Sequence, residues 1–201
     1  MDIINDFNCY FKILDKNNYF AYLSLTGKNE LQFRDNFAYF LNEKYCNSNY
    51  VSKEYSINRN NRADLVILDL LGSVRIVIEF KVFYAYNFEE IKIKRIVSRI
   101  EDDRSKNCRL KDTKAYYIVL VINPYELPKP KNLFRKIIKY YARIERFIKK
   151  YSPENYFEKA KALMGDAFNK TRLKITFSGN KKLGKAFNVE CGLYCFILEE
   201  K

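Results

Sequence analysis

The chain has 201 residues, of which 48% are hydrophobic and 16% aromatic, a length typical of one domain and a composition that excludes global disorder. It contains no histidine, which excludes Ser-His-Asp and Cys-His catalysis, His-ligated zinc and nuclease chemistry with an imidazole base. The formal net charge of +13 favours polyanionic partners, either nucleic acid or an acidic membrane surface.

Hydrophobic spacing predicts a series of helices and strands along the chain. The predicted elements are, in chain order, one or two helices in 2–25, a helix in 29–45, a strand in 50–57, a hairpin of strands in 63–69 and 74–83, a helix in 87–107, a strand in 115–123, helices in 132–150 and 154–170, and a final pair of strands. This order predicts an α/β fold with a mixed central sheet flanked by helices on both sides. We expect a single domain, with a core of about 29–123 and a basic helical and β appendage of about 131–201.

Two carboxylates lie within the otherwise apolar strands of the predicted hairpin. Asp64 is in the first strand, Glu79 is in the second, and Lys81 follows two residues later. If the hairpin is symmetric about Leu71 and Gly72, the two acids face each other with Cβ atoms about 5 Å apart, and Lys81 projects to the same side. A buried charge is costly unless it is paired or binds a metal. The pattern therefore predicts a divalent-cation site suited to phosphodiester hydrolysis.

At these residues the sequence resembles the PD-(D/E)XK nuclease superfamily. The common core of that superfamily is an αβββαβ arrangement, with an Asp that opens the second strand and Glu-x-Lys on the third. The counterparts here are Asp64 in RADLVILD and Glu79-Phe80-Lys81 in IVIEFKVF. The resemblance covers roughly residues 29–123 and implies a restriction-endonuclease-like fold, which Holliday-junction resolvases share.

The resemblance also implies a cofactor and roles for individual residues. It implies Mg²⁺ or Mn²⁺ held by Asp64, Glu79 and the backbone carbonyl of Phe80, with Lys81 beside the nucleophilic water. Many members add a Glu from the first core helix, and Glu30 occupies that place here. The implied catalytic residues are therefore the two hairpin acids, Lys81 and Glu30, and Glu30 is a further candidate metal ligand.

Each of these residues has a second interpretation. Glu79 and Lys81 could form a local ion pair at a solvent-facing strand end, and Asp64 could bond to the turn where its strand begins. Glu30 stands in the first turn of a helix, where the helix dipole favours an acid without any metal. Ala63 replaces the proline of the motif, a position that is not a ligand.

Basic residues are concentrated in two segments. The first, the basic segment of residues 131–151, carries eight basic groups and one acid, with an apolar stripe that includes Ile137 and Ile144. The second, residues 171–185, adds five basic residues and no acid. Both predict salt-sensitive, sequence-independent contacts to a phosphate backbone. An amphipathic helix on an anionic membrane is the alternative for the basic segment.

Individual candidates for nucleic-acid contacts lie near the hairpin and along two helices. A solvated helix face is the alternative for each of them. The candidates are Arg62, Lys92, Lys94, Arg95, Lys136, Lys139, Arg143 and Arg146.

These observations predict a divalent-metal-dependent nuclease that hydrolyses phosphodiester bonds, with DNA preferred over RNA as substrate and no membrane partner. Structure-selective cleavage is a narrower version of this hypothesis and would require a two-fold homodimer that presents two sites. The alternative is a catalytically inactive nuclease-fold module that binds nucleic acid without cutting, because the net charge by itself requires no chemistry.

The cysteines and the first residues of the sequence indicate the cellular compartment in which the protein works. We expect no secretory signal, because the start of the sequence has early acids and no basic segment. An odd, scattered set of cysteines is typical of a reduced, cytoplasmic protein, and without a Cys-x-x-Cys pair it does not favour structural zinc. We expect all five to be small buried side chains. They are Cys9, Cys46, Cys108, Cys191 and Cys195.

Overall fold

The computed structural model describes residues 1–14, 18–27, 29–59, 61–88, 90–107, 110 and 112–201, with the side chains of residues 90 and 91 outside the description. In this part of the chain, seven α-helices accompany one six-stranded mixed sheet. The helices are α1 Ile3–Ile13, α2 Tyr19–Thr26, α3 Glu30–Tyr45, α4 Glu90–Asn107, α5 Lys131–Ile137, α6 Tyr141–Lys150 and α7 Tyr156–Asn169. The strands are β1 Tyr50–Asn58, β2 Asn61–Leu68, β3 Val74–Tyr84, β4 Lys114–Pro124, β5 Leu173–Ala186 and β6 Val189–Glu200. None of the described helices is long and apolar enough to cross a membrane.

The strands lie in the order β1-β2-β3-β4-β6-β5. The first three form an antiparallel meander, β3 and β4 run parallel, and β6 is antiparallel to both β4 and β5. A parallel pair needs a crossover connection, which α4 supplies between β3 and β4. The predicted α/β class and mixed sheet are therefore confirmed, and the final strand pair joins the same sheet through β4 and β6.

The hairpin of β2 and β3 has the predicted register. Leu65 pairs with Ile78 and Val66 pairs with Val77, as expected for a hairpin that is symmetric about its turn. The register shifts by one residue only after Ile67, next to the turn.

The turn of this hairpin is stabilised by an acid and a glycine. The carboxylate of Asp69 accepts hydrogen bonds from the backbone N–H groups of Leu71 and Ser73, both at 2.9 Å. Gly72 has φ +82°, a left-handed conformation that side chains with a Cβ disfavour. These hydrogen bonds and the glycine conformation fix the turn, and the turn sets the register between β2 and β3.

Helices cover both faces of the sheet. Phe37 of α3 packs edge-on against Phe80 of β3, with ring centroids 6.2 Å apart. Asn107 of α4 donates a hydrogen bond to Glu79 of the same strand. Because neighbouring strand residues point to opposite faces, α3 and α4 lie on opposite sides of β3.

The basic segment differs from the prediction, because two helices stand where one was expected. Tyr140 has φ 62°, which ends the continuous helical path between α5 and α6. Ile138 is extended and buried, and the N–H of Lys139 donates to the carbonyl of Leu25 in α2 at 2.8 Å. Because of this break, Ile138 is buried in the core. Ile137, a member of the predicted apolar stripe, is 38% exposed.

Cysteine burial is confirmed at two positions and wrong at two. Cys191 and Cys195 are buried in the central strand β6. Cys9 and Cys46 are exposed, because one lies on the outer face of α1 and the other follows the end of α3, where the chain leaves the core. Cys108 lies outside the described residues.

Candidate active site and basic cavity

Two acids accept hydrogen bonds along the same edge of β3, beyond the part of the hairpin that is paired. Asp64 Oδ2 accepts from the backbone N–H of Phe80 at 2.8 Å. Glu30 Oε2, from the first turn of α3, accepts from the N–H of Val82 at 3.0 Å. The N–H groups of alternate strand residues point to one edge, so Asp64 and Glu30 lie next to each other along it.

Glu79 is buried beside Asp64. Val66 and Val77 are paired across the two strands, so their side chains point to the same face of the sheet. Asp64 and Glu79 each lie two residues further along their strands, and because side chains alternate between faces, both acids point to that face as well. Glu79 is only 6% exposed, and Asn107 Nδ2 donates to its Oε1 at 3.0 Å. Burial, and then the negative charge of Asp64, raise the pKa of Glu79 to about 8. Its burial excludes the solvent-facing strand end as its setting.

Lys81 shares this face but is already engaged in an ion pair. Its Nζ lies 2.6 Å from Oδ2 of Asp103 on α4, and a second cation, Lys106, lies 3.2 Å from the other oxygen of Asp103. Burial alone would lower the pKa of Lys81, but the contact with Asp103 and the charges of Asp64 and Glu79 outweigh it and raise that pKa. Lys81 is therefore an ammonium group at neutral pH.

Sequence reasoning missed Asp103 and Asn107, the two residues through which α4 completes the site. A signal for them is present in the sequence. The buried stripe of α4 runs through Ile93, Ile96 and Ile100, and the same alternation of three and four residues continues to positions 103 and 107. Polar residues on the buried stripe of an amphipathic helix indicate partners inside the fold.

The acids present fit a hard divalent cation, although not as a large cluster. Within the described residues, no group of three or more His, Cys, Asp and Glu side chains could hold a metal ion. Mg²⁺, however, is commonly bound through one or two carboxylates and retains waters. Burial raises the pKa of Glu79 first and the negative charge of Asp64 second, and a bound cation would offset that second effect. The carbonyl of Phe80 points to the same edge as its N–H, toward Asp64.

Four of the predicted nucleic-acid-binding residues line one concave site between α4 and α6. This site, the basic cavity, has a volume of about 560 Å³. A second cavity of about 260 Å³, the edge cavity, shares part of its lining and adds Arg99 and the last three residues of β3. None of the described residues that line either cavity is acidic. The basic cavity is lined by Lys92, Arg95, Arg143, Arg146 and Lys150, together with Tyr86, Asn87 and Phe147.

The other four candidates lie elsewhere on the surface. They are exposed and line neither of these two cavities, and Lys139 packs over the ring of Tyr140 with 5.4 Å between Nζ and the ring centroid. These four are Arg62, Lys94, Lys136 and Lys139.

The second basic segment of the sequence is held largely by contacts within the protein. Lys174 lies 3.2 Å from Glu199, and Lys182 lies 2.8 Å from Glu190. Lys181 donates to two backbone carbonyls of α1. These three cations are therefore engaged by strand and helix partners.

No protein-family model, curated protein or solved structure matches this chain. Two features of the chain itself bear on function: the site in which Asp64, Glu79 and Lys81 share one face of β2 and β3, and the basic cavity.

Proposed function

We propose that the protein is a divalent-metal-dependent nuclease of the PD-(D/E)XK type that hydrolyses phosphodiester bonds in DNA. The observation that carries the proposal is the buried carboxyl of Glu79 beside the partly buried Asp64, with the ammonium group of Lys81 on the same face. The element order from α3 to β4 supports a restriction-endonuclease-like core, because helix, three strands, helix and strand is the order that the resemblance implies.

Asp64 and Glu79 would hold Mg²⁺ or Mn²⁺ together with the carbonyl of Phe80. Glu30 lies further along the same edge, at the N–H of Val82, and does not form a three-acid group with them. When bound, the cation supplies Lewis acidity toward the phosphate and lowers the pKa of a bound water. The N–H of Phe80 fixes the orientation of the Asp64 carboxylate, and the amide of Asn107 fixes that of Glu79. The protein thus positions the two acids before substrate arrives, which removes a reorganisation cost from the reaction.

Lys81 acts in this proposal as a positive charge. Two roles were open from the sequence, activation of the water and stabilisation of charge on the phosphate. The raised pKa of Lys81 favours the second, because an ammonium group donates hydrogen bonds and cannot accept a proton. The ion pair with Asp103 holds Nζ in place, and the charges of Asp64 and Glu79 also act on it. In this proposal, Nζ would stabilise the negative charge that develops on the attacked phosphate.

A binding module without catalysis is the second candidate function. The observation that favours it is that the site groups are already satisfied within the protein, Lys81 by Asp103 and Glu79 by Asn107. In that case the basic cavity would carry the whole function.

The test is a cleavage assay on linear, nicked, branched and single-stranded DNA and on RNA, with Mg²⁺ or Mn²⁺ and with EDTA. We expect metal-dependent cutting of DNA that stops with EDTA. Glu79→Ala and Lys81→Ala should abolish cutting and leave DNA binding largely intact, whereas Asp166→Asn, an exposed acid on α7, is the matched control. Undiminished cleavage by both site variants would refute the assignment.

The same preparation separates the two functions. DNA binding that weakens with salt, without turnover under either metal, would establish the binding module. Binding that does not depend on salt would contradict both functions, since both rely on cationic contacts to phosphate.

A further inference from the structure

The basic cavity brings together cations from two helices that are far apart in the sequence. Lys92 and Arg95 come from α4, and Arg143, Arg146 and Lys150 come from α6. Like charges repel when they converge on a concave surface with low-dielectric walls, and the same geometry concentrates an attractive potential for anions. With no acid among the described lining residues, the arrangement is complementary to a ligand with more than one negative charge.

One cation of the cavity is positioned by aromatic packing. The guanidinium of Arg143 lies over the rings of Tyr140 and Tyr86, 5.7 and 6.0 Å from their centroids. Tyr86 is buried, and its ring meets that of Tyr140 with centroids 6.2 Å apart. A stacked guanidinium loses little further freedom when it binds and can present its planar fork to phosphate oxygens.

The size and position of the cavity define the ligand further. Its volume of about 560 Å³ falls within the range of pockets that bind ligands of nucleotide size. The edge cavity continues from it along Val82, Phe83 and Tyr84, the residues that follow Lys81 in β3. The two cavities therefore adjoin the end of the strand that carries the candidate active site.

We propose that the basic cavity binds a terminal phosphate group, and that its source is the phosphorylated end of a nucleic-acid strand. A phosphate monoester carries close to two negative charges at neutral pH, whereas an internal phosphodiester carries one, so a concave group of five cations favours the terminal group. The choice of a strand end over a free nucleotide rests on the proposed function. The edge cavity connects the basic cavity to β3, the strand that carries the candidate active site, so a strand bound by its end could reach that site. Binding of the phosphate itself does not require that function.

The experiment measures binding in EDTA, so that cleavage does not contribute. The probes are one short single-stranded oligonucleotide in 5′-phosphorylated, 3′-phosphorylated and unphosphorylated forms, with inorganic pyrophosphate and a nucleoside monophosphate as competitors. We expect one phosphorylated form to bind at least about tenfold more tightly than the unphosphorylated form, and pyrophosphate to compete. Arg95→Gln combined with Arg146→Gln should remove the advantage, and Lys174→Gln combined with Lys182→Gln should retain it.

The results distinguish a site for a strand end, a site for a free nucleotide and no phosphate site. Competition by the monophosphate and pyrophosphate without an advantage for either phosphorylated end would support the phosphate site and assign it to a free nucleotide. Equal affinity for all three oligonucleotides without competition by pyrophosphate would overturn it, as would an advantage that persists in the Arg95 and Arg146 variant. If no cleavage is detected with either metal but a phosphorylated end still binds more tightly, the nuclease proposal would be refuted and the phosphate site would be supported.

Discussion

The buried carboxyl of Glu79 makes the stability of the metal-free protein depend on pH. Its pKa is raised from 4.5 to about 8 by burial and by Asp64. Between these two values the unfolded chain releases a proton that the folded protein retains, so the free energy of unfolding falls as pH rises through this window. The fall is at most about 1.4 kcal/mol for each pH unit inside the window. Urea unfolding in EDTA from pH 5 to 9 should show the fall in the wild type and a reduced fall in Glu79→Gln; identical curves would contradict the raised pKa.

Asp103 is expected to act on catalysis through Lys81. Asp103→Asn removes the carboxylate that lies 2.6 Å from Nζ, so the pKa of Lys81 should fall and the alkaline limb of the cleavage rate should move to lower pH, with a smaller kcat. The matched control is Lys106→Ala, which removes the more exposed cation that contacts the other oxygen of Asp103. A pH–rate profile that is unchanged in Asp103→Asn would exclude this positioning role.

The candidate site was predictable where it depended on local pattern and was missed where it depended on a distant helix. Alternation and a symmetric turn are enough to place Asp64 and Glu79 on one face, since both strands flank the same turn. Asp103 and Asn107 approach from α4, after the crossover to the opposite side of the sheet from α3. The apolar spacing of α4 indicates that both positions face the core, but it does not specify which strand residues they contact, because that depends on how the helix packs on the sheet.

Among the elements, the break between α5 and α6 gives a direct test of packing. Ile138 is 2% exposed and its neighbour Ile137 is 38% exposed. Ile138→Ala should lower the free energy of unfolding by about 2–4 kcal/mol, because it removes buried methyl groups and leaves a cavity. Ile137→Ala should change it by less than about 0.5 kcal/mol, apart from a small propensity effect. Denaturant melts of both variants measure the difference, and equal losses would contradict the break.

The break itself could not be read from the sequence. The apolar spacing of the basic segment is compatible with one continuous helix, which is why one helix was predicted. The backbone instead turns at Tyr140, where a ring packed against Tyr84 and Arg143 accompanies the left-handed conformation, and Lys139 bonds to Leu25 more than a hundred residues earlier. Long-range contacts thus override a local helical pattern.

For the whole molecule, the cations are unevenly distributed, and we expect the proposed DNA binding to depend on where they lie as well as on their sum. The cations of the basic cavity converge on one concave site, whereas Lys174 and Lys182 are paired with acids on strand β6. The salt dependence of duplex DNA binding should therefore lose about two units of slope, at about 0.9 per phosphate contact, in Arg95→Ala combined with Arg146→Ala. Lys174→Ala combined with Lys182→Ala removes the same formal charge and should change the slope little. Equal changes in the two double variants would show that only net charge governs binding.

The position of β6 has a consequence for how the protein is made. This strand lies between β4 and β5, so β4 gains its second hydrogen-bonding neighbour only when the chain has been synthesised well past the candidate active site. A chain synthesised only to that point would have β4 as an open edge of the sheet, and the residues of β4 from Tyr116 to Pro124 are all buried in the finished fold. Unprotected apolar edges invite pairing with other chains. We therefore expect a chain that ends before β6 to aggregate more readily than the chain that includes it.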